Sequence, residues 1–436
     1  MKRIICLLTF AALFAACSND DDSTQKEIPL NPTEKEIAAN SPAFAIKLMK
    51  ALDATLEDNN SYVVSPLGAS MALSMAMNGA QGETYDQIAE ALSLSDYPLD
   101  DINRYNNKLL TGLAALDNQA QIGIANSLWL NEGVNTLAPY NYCIAQHYGA
   151  TSETLDFANE NSLARINSWV EEYTNYLIPQ YTDYIDEDAK LMFLNSSYFK
   201  SPWNIEFNKE QSFVEKFYAY DGTEQETEYW MIDGVLKFMY HCTYGSDRIE
   251  TLSLFVGKNE TYCVDFILPH CYIPNFYNSD FTYETFMEYL DNGGLKQIYD
   301  SIDHYRFEQP SKAVTHKAGL LGDALPPPRI VFPKLKMEFK AELNDAFKAM
   351  GITDAFDCEK ADFGLLSDSE VNISKIQQAN VFSIDENGTS IGSNSENNNT
   401  TRTLGSWNIF FNRPFLFFVR EVKTNTILFA GKVAKM

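Results

Sequence analysis

The chain has 436 residues, with 33 Lys and Arg against 59 Asp and Glu, and a formal net charge of −26 at pH 7. Hydrophobic residues make up 45% and aromatic residues 13%, enough to bury a large core, which excludes a disordered polymer. No clustered run of basic residues is present, so a nucleic-acid backbone and docking onto anionic lipid through basic patches are both excluded.

Met1-Lys2-Arg3 is a short basic start, and Ile4 to Ala16 is an apolar run of signal-peptide length, too short to span a bilayer. Residues 1–16 are therefore predicted to be a signal peptide. The stretch Leu13-Phe14-Ala15-Ala16-Cys17 resembles a bacterial lipoprotein box, with Phe14 where Leu is usual. That resemblance implies lipid attachment at Cys17; ordinary signal cleavage beside an incidental Cys17 is the alternative. The acidic run Ser18-Asn19-Asp20-Asp21-Asp22 resembles the export signal of surface lipoproteins in Bacteroidetes-type bacteria. Residues 17–40, with Pro29 and Pro32, read as a solvated tether. The expected location is the outer membrane, at the surface of a Gram-negative cell, with secretion as the alternative.

From about Ser41 the pattern is globular to the end. Helical spacing predicts helices over Pro42–Thr55, Met71–Met77, Gln81–Leu92 and Leu163–Leu177. Strands are predicted at Tyr62–Val64, Ile122–Leu130, Leu191–Phe199, Val264–Leu268, Val331–Phe339, Val381–Ile384, Phe415–Val419 and Ile427–Ala430. Helices come mainly early and strands late, which favours an α+β fold. Two segments read as irregular: Ser301–Pro328, ending in three prolines, and the Asn-, Ser- and Thr-rich Asn387–Ser406. Once Cys6 leaves and Cys17 is lipidated, Cys143, Cys242, Cys263, Cys271 and Cys358 remain. They are expected to be buried free thiols, with at most one or two incidental disulfides.

Enzyme constellations fail on order and spacing. Gly388-Thr389-Ser390-Ile391-Gly392 matches a nucleophile elbow, but all five histidines lie upstream of it, where a hydrolase needs one downstream. His241-Cys242 and His270-Cys271 each offer one ligand at most, because adjacent strand residues face opposite sides. No phosphate-cradling loop is present. The chain is read as a non-enzyme with no metal and no cofactor.

The run Asn60-Ser61-Tyr62-Val63-Val64-Ser65-Pro66-Leu67-Gly68-Ala69-Ser70-Met71-Ala72-Leu73, continuing through Asn78-Gly79-Ala80-Gln81-Gly82-Glu83-Thr84, resembles the serpin family. Further motifs follow in serpin order: Asn126-Ser127-Leu128-Trp129, Ile166-Asn167-Ser168-Trp169-Val170, and Leu194-Asn195-Ser196-Ser197-Tyr198-Phe199-Lys200 with Trp203. Pro333-Lys334-Leu335-Lys336, Ala361-Asp362-Phe363, Arg413-Pro414-Phe415-Leu416-Phe417 and Gly431-Lys432-Val433 complete the set. The resemblance spans residues 41–436 and implies one domain in place of the two or three that length suggests at about 150 residues each.

It further implies three β-sheets, about nine helices and an exposed reactive-centre loop at about 387–407. A serine or cysteine protease cuts that loop and is trapped as the acyl-enzyme while the loop inserts into the main sheet. The family register places the hinge at Glu386, Gly388 and Thr389 and the reactive bond at Arg402–Thr403, with Thr403 or Leu404 as shifted alternatives. Arg402 is the only basic residue between Lys375 and Arg413, which suits a trypsin-like extracellular protease. Lys334 and Glu386 match the ion pair where insertion begins, and Trp203 its aromatic neighbour. Ser65 and Asn195 match the polar cluster behind the sheet opening. In that cluster Gly68 stands where Ser is usual and Gln378 where His is usual. Gln378 cannot titrate, so pH-sensitive opening through it is not expected.

Three departures bear on mechanism. Ile391, Gly392, Ser393 and Asn394 replace an alanine-rich run, which favours slower insertion and partial substrate behaviour. The stretch 298–328 is longer than the family pattern. Pro98–Asn118, the heparin-binding helix of some serpins, carries only Arg104 and Lys108, so no heparin partner is expected. A monomer is expected. The alternative function is a non-inhibitory surface binding protein of the same fold, cut as a protease substrate.

Overall fold

The computed structural model describes residues 27–56, 60–174, 176, 178, 180–203, 212–232, 238–243, 249–257, 260–269, 282–303, 329–384 and 408–436. Its helices are α1 (Pro32–Ala39), α2 (Ser41–Thr55), α3 (Pro66–Gly79), α4 (Gly82–Ala91), α5 (Leu99–Leu116), α6 (Ala138–Tyr148), α7 (Glu160–Tyr173), α8 (Tyr283–Tyr289), α9 (Leu295–Asp303) and α10 (Asn344–Ala349). Helices α8 and α9 run on through a π turn at Leu290–Gly294. The strands are β1 (Tyr62–Val64), β2 (Gln121–Asn131), β3 (Thr151–Leu155), β4 (Leu191–Lys200), β5 (Phe213–Tyr218), β6 (Glu224–Ile232), β7 (Phe238–Thr243) and β8 (Ile249–Val256). They continue as β9 (Tyr262–Pro269), β10 (Arg329–Pro333), β11 (Leu335–Glu342), β12 (Ile373–Ile384), β13 (Asn408–Phe410), β14 (Phe415–Glu421) and β15 (Ile427–Val433).

Three sheets result, ordered β1-β15-β14-β9-β8-β7, β13-β10-β6-β5 and β11-β12-β4-β2-β3. The fold is α+β, as expected. Local signals explain the early helices. Ser65 caps α3, its hydroxyl accepting from the Gly68 amide at 3.0 Å, and Pro66 occupies the first turn. Gly149, at φ 59°, closes α6 in the left-handed conformation.

The five-stranded sheet separates two cores. One face of β4, through Leu191 and Phe193, packs into the main core with α3; the other, through Met192 and Leu194, packs with Trp129, Ala379 and Val381 beneath Ile166, Trp169 and Val170 of α7. The pairing of β12 with β4 is parallel, while β11–β12 and β2–β4 are antiparallel.

Three sequence expectations are corrected. The tether ends earlier than residue 40: Ile28, Leu30, Ile37 and Ala38 are buried, and α1 carries a complete capping box between Asn31 and Glu34. Glu34 is fully buried because Lys108 of α5 reaches it at 2.6 Å. The single strand expected at Val331–Phe339 is two, split at Lys334, whose amide donates to the Glu228 carbonyl so that β10 and β11 enter different sheets. Cys263 is a buried free thiol, but Cys143 is only partly buried and Cys358 is exposed.

Candidate functional site

The parallel β12–β4 pairing forms a seam at the centre of the main sheet. It runs from Ile373 opposite Leu191 to Val381 opposite Tyr198. Beyond Val381, β12 continues to Ile384 beside Leu335 of β11, and the chain then enters segment 385–407. Parallel pairing has slanted hydrogen bonds and is slightly weaker per residue than antiparallel pairing. A segment leaving the end of β12 and turning back would run antiparallel to both strands of the seam. The two strands pair directly along this seam, and segment 385–407 begins beyond its end.

Polar side chains line the core face of the seam. The Gln378 amide reads the backbone of Ser65 in both directions, its oxygen accepting from the Ser65 N–H at 3.1 Å and its nitrogen donating to the Ser65 carbonyl at 2.8 Å. The Ser65 hydroxyl donates to the Leu428 carbonyl at 2.8 Å. Across the seam, the Asn195 amide donates to Asn126 Oδ1 at 2.9 Å and to the Ala125 carbonyl at 3.2 Å, and Asn195 Oδ1 accepts from the Ser197 hydroxyl at 2.9 Å. Ser65, Asn195 and Gln378 lie together on this face of the seam.

The structure explains the glycine at position 68. A Cβ there would sit 1.9 Å from Asn195 Oδ1 and 2.5 Å from its Cγ, so the Asn195 side chain occupies the space a larger residue would need. The usual serine is missing because its volume is taken.

At the end where β12 leaves the sheet, Trp203 is buried, bridges to Val256 and lies 6.2 Å from Trp230. Lys334 Nζ donates to Glu228 Oε1 at 2.8 Å, a carboxylate the sequence reading did not single out. Its expected partner Glu386 lies outside the described residues, as do Gly388, Thr389, Ser390, Arg402, Thr403 and Cys17.

On the outer face, segment 180–185 links α7 to β4. Asn167 of α7 holds it, accepting from the amides of Tyr181 and Thr182 at 2.8 and 3.0 Å and donating to the Thr182 carbonyl at 2.8 Å. Lys340 of β11 donates to the Gln180 carbonyl, and Lys375 of β12 donates to the Tyr184 hydroxyl at 3.2 Å. Burial, with the nearby Glu342 charge adding, holds the Tyr181 hydroxyl far above the usual phenol range, so it stays neutral. Sequence reasoning placed Asn167 in a family motif without its contacts and missed Lys340 and Lys375, because a lysine or asparagine on a strand or helix carries no mark of its partner.

The expected heparin-type helix is α5, and both of its basic residues are engaged: Arg104 with Asp101, and Lys108 with Glu34 and the Pro29 carbonyl. Among the described residues, no cluster of three His, Cys, Asp or Glu side chains is placed to hold a metal, and no helix is long and apolar enough to cross a membrane.

A family model described as serpin (serine protease inhibitor) matches residues 39–436. Iripin-2 of Ixodes ricinus is 25% identical over 414 residues, covering 92% of this chain and 94% of that protein. The native-state crystal structure of a thermophilic serpin, tengpin, aligns with a TM-score of 0.75 at 24% identity, covering 95% of this chain and 96% of that one. Human thyroxine-binding globulin, complexed with thyroxine, aligns with a TM-score of 0.75 at 20% identity, covering 92% and 99%. These two likenesses show a shared fold.

Proposed function

The chain belongs to the serpin family, whose members are in general protease inhibitors and not catalysts, and from that premise we propose that it is a suicide inhibitor of extracellular serine or cysteine proteases. The observation that carries this reading is the parallel β12–β4 seam, from whose end the chain runs directly into segment 385–407. A protease attacks the Arg402–Thr403 bond and forms an acyl-enzyme. The freed segment, led by Gly388 and Thr389 after the Glu386 hinge, parts the seam, enters it as an antiparallel strand and carries the protease away before deacylation. The lone arginine selects trypsin-like enzymes, whose specificity pocket holds a carboxylate. Cys17 carries the lipid that holds the monomeric inhibitor at the outer membrane, facing outward.

Titration with trypsin tests this reading. An SDS-stable covalent complex and a cut after Arg402 by mass spectrometry are expected. If neither trypsin nor other serine and cysteine proteases are trapped, the inhibitory reading fails.

The composition of residues 391–398, rich in Asn, Ser and Gly, favours a second reading, in which the protein binds a ligand and is merely cut by proteases. The two readings separate on heating: loop-cleaved protein melts far higher than intact protein if the segment inserts, and at the same temperature if it does not. Replacement of Cys17 by Ser should release the protein from membranes while leaving trapping intact.

A further inference from the structure

The outer face of the seam, beneath α7, is apolar: Met192 and Leu194 of β4 and Ala379 and Val381 of β12 pack there with Ile166, Trp169 and Val170. Two polar side chains interrupt it. By strand alternation Ser196 shares this face with Met192 and Leu194, and Gln377 shares it with Ala379 and Val381. Ser196 is fully buried and Gln377 is 8% exposed. Among the described residues, neither Ser196 Oγ nor Gln377 Oε1 has a hydrogen-bond partner. The sheet offers Ser196 none, because its lateral neighbours are Ala125 of β2 and Ala379 of β12. Gln377 stands between Leu194 of β4 and Glu342 of β11, and a carboxylate has no proton to give its oxygen. Orphaned buried polar atoms are costly, and alanine at position 196 would avoid the cost.

A strand entering the seam would stand beside both. Two-residue turns are the commonest hairpin connections, and Asn-Gly is the pair most favoured in them. After β12 the sequence offers Asn387-Gly388 for such a turn, with Glu386-Asn387 one residue earlier. Either turn sets odd-numbered residues of β12 opposite even-numbered residues of the entering strand. Gln377 and Ala379 then share the outer face with Ser390, Gly392, Asn394, Glu396 and Asn398. In both registers Asn394 comes level with the Ala379–Ser196 row or diagonal to it, and Asn398 stands likewise to Gln377. An asparagine amide can donate to the Gln377 oxygen, and a serine hydroxyl can donate or accept.

We propose that Ser196 and Gln377 are the sheet's partners for Asn394 and Asn398 of the entering strand, so that this seam selects an asparagine-bearing strand over an alanine-bearing one. The two are positioning residues: they touch neither protease nor scissile bond. The inference rests on the inhibitory reading, in which segment 385–407 enters the seam, and adds which sequence the seam prefers.

The test offers the full chain an equimolar mixture of two synthetic peptides. One copies residues 388–401, and the other carries Asn394→Ala and Asn398→Ala. Mass spectrometry of the annealed complex reads which peptide has entered. Wild type should prefer the native peptide by about tenfold, and the preference should vanish when Ser196→Ala is combined with Gln377→Met. A peptide with Ser393→Ala and Ser395→Ala, changed on the other face, is the control; its ratio to the native peptide should be the same in wild type and double variant. A second readout needs no peptide: intact Ser196→Ala should melt at or above the wild-type temperature, because it loses an orphaned hydroxyl and no bond.

An undiminished preference for the native peptide in the double variant overturns the pairing, while annealing itself upholds the inhibitory reading. A lower melting temperature for intact Ser196→Ala also overturns it, since the hydroxyl then has a partner in the resting fold. If no peptide anneals to any form, the seam takes no strand, and the inhibitory reading falls together with this inference. If the double variant does not fold, Ser196→Ala and the peptide with Asn394→Ala alone decide by the same ratio.

Discussion

Replacing Gly68 by Ala sets two physical effects against each other. Gly68 lies inside α3, where exchanging glycine for alanine ordinarily stabilises by about 0.5–1 kcal/mol through helix propensity. The added Cβ, however, falls 1.9 Å from Asn195 Oδ1, closer than any real contact, so the Asn195 amide must leave. It takes with it its bonds to Asn126, the Ala125 carbonyl and Ser197. Three buried hydrogen bonds at about 1 kcal/mol each, with an orphaned polar atom costing about 1–3 kcal/mol more, give about 4–6 kcal/mol, a net loss of about 3–5 kcal/mol after the helix gain. At about 2.1 cal/mol/K per residue, that loss lowers the melting temperature by about 4–6 °C. Thermal unfolding followed by circular dichroism measures the shift. The companion is Gly68→Ala with Asn195→Ala, in which the clash is gone, so the double variant should cost at least about 1 kcal/mol less than the sum of the singles. Melting of Gly68→Ala at or above the wild-type temperature would refute the argument, because Asn195 would then not fill the space beside Gly68.

Other expectations follow from the same structure. Burial pushes the Glu34 carboxyl up, but its bond to Lys108, the Asn31 amide and the charges of Lys108 and Arg104 outweigh that and leave it below the usual range. Its stabilising contribution is therefore complete above the unfolded pKa of about 4.3 and is lost as pH falls through the depressed folded value. The protection of the α1 amides, taken relative to the intrinsic exchange rate at each pH, should fall in acid, and Glu34→Gln should remove that dependence. Local exchange is the right probe because buried Glu421, raised mainly by burial, works with the opposite sign on global stability. Arg420→Met strands the fully buried Asp265, whose carboxylate the Arg420 Nε meets at 2.8 Å, and should cost about 3–5 kcal/mol in chemical denaturation. Removing both partners should cost much less. Seam opening, read by peptide annealing, should be flat between about pH 6 and 8 in wild type and accelerate in acid for Gln378→His, since a protonated imidazole cannot accept from the Ser65 amide.

Strands and helices with unbroken apolar periodicity were legible in the sequence, and the ordered motifs carried the architecture. What escaped it was structure held by polar pairing. β12 begins at Ile373, but Lys375, Gln377, Gln378 and Asn380 interrupt the apolar pattern, and only Val381–Ile384 reads as strand. Those residues are buried because the fold supplies their partners, notably Ser65, Val63 and Tyr184. Helix α1 was hidden for a similar reason: its first turn is secured by an ion pair from Glu34 to Lys108, 74 residues away. Ser65, Asn195 and Gln378 could be placed through family motifs, whereas Glu228, Lys340 and Lys375 depend on contacts across elements. Gly68 was noticed as a departure, but its cause lies in the direction taken by the Asn195 side chain.

Whether the proposed inhibitor traps its target or is consumed turns on what the entering strand brings with it. Setting one strand between β12 and β4 replaces one ladder by two, a net gain of roughly one hydrogen bond per inserted residue, worth about 1 kcal/mol. Ordering that residue's backbone costs about 1–2 kcal/mol, so the ladder alone does not drive insertion. The sign is set by side chains, at about 1.5–3 kcal/mol for each large apolar residue buried. Strand alternation sends Thr389, Ile391, Ser393 and Ser395 to one face, and Ile391 is the only large apolar residue among them. The chain therefore lies near the balance point, where one more apolar side chain matters. Ser393→Val should raise the melting temperature of loop-cleaved protein and lower the number of inhibitor molecules consumed per protease trapped, while leaving the intact protein's melting unchanged. If cleaved Ser393→Val melts no higher than cleaved wild type, residue 393 does not enter the sheet, and the antiparallel insertion argued from the seam is wrong.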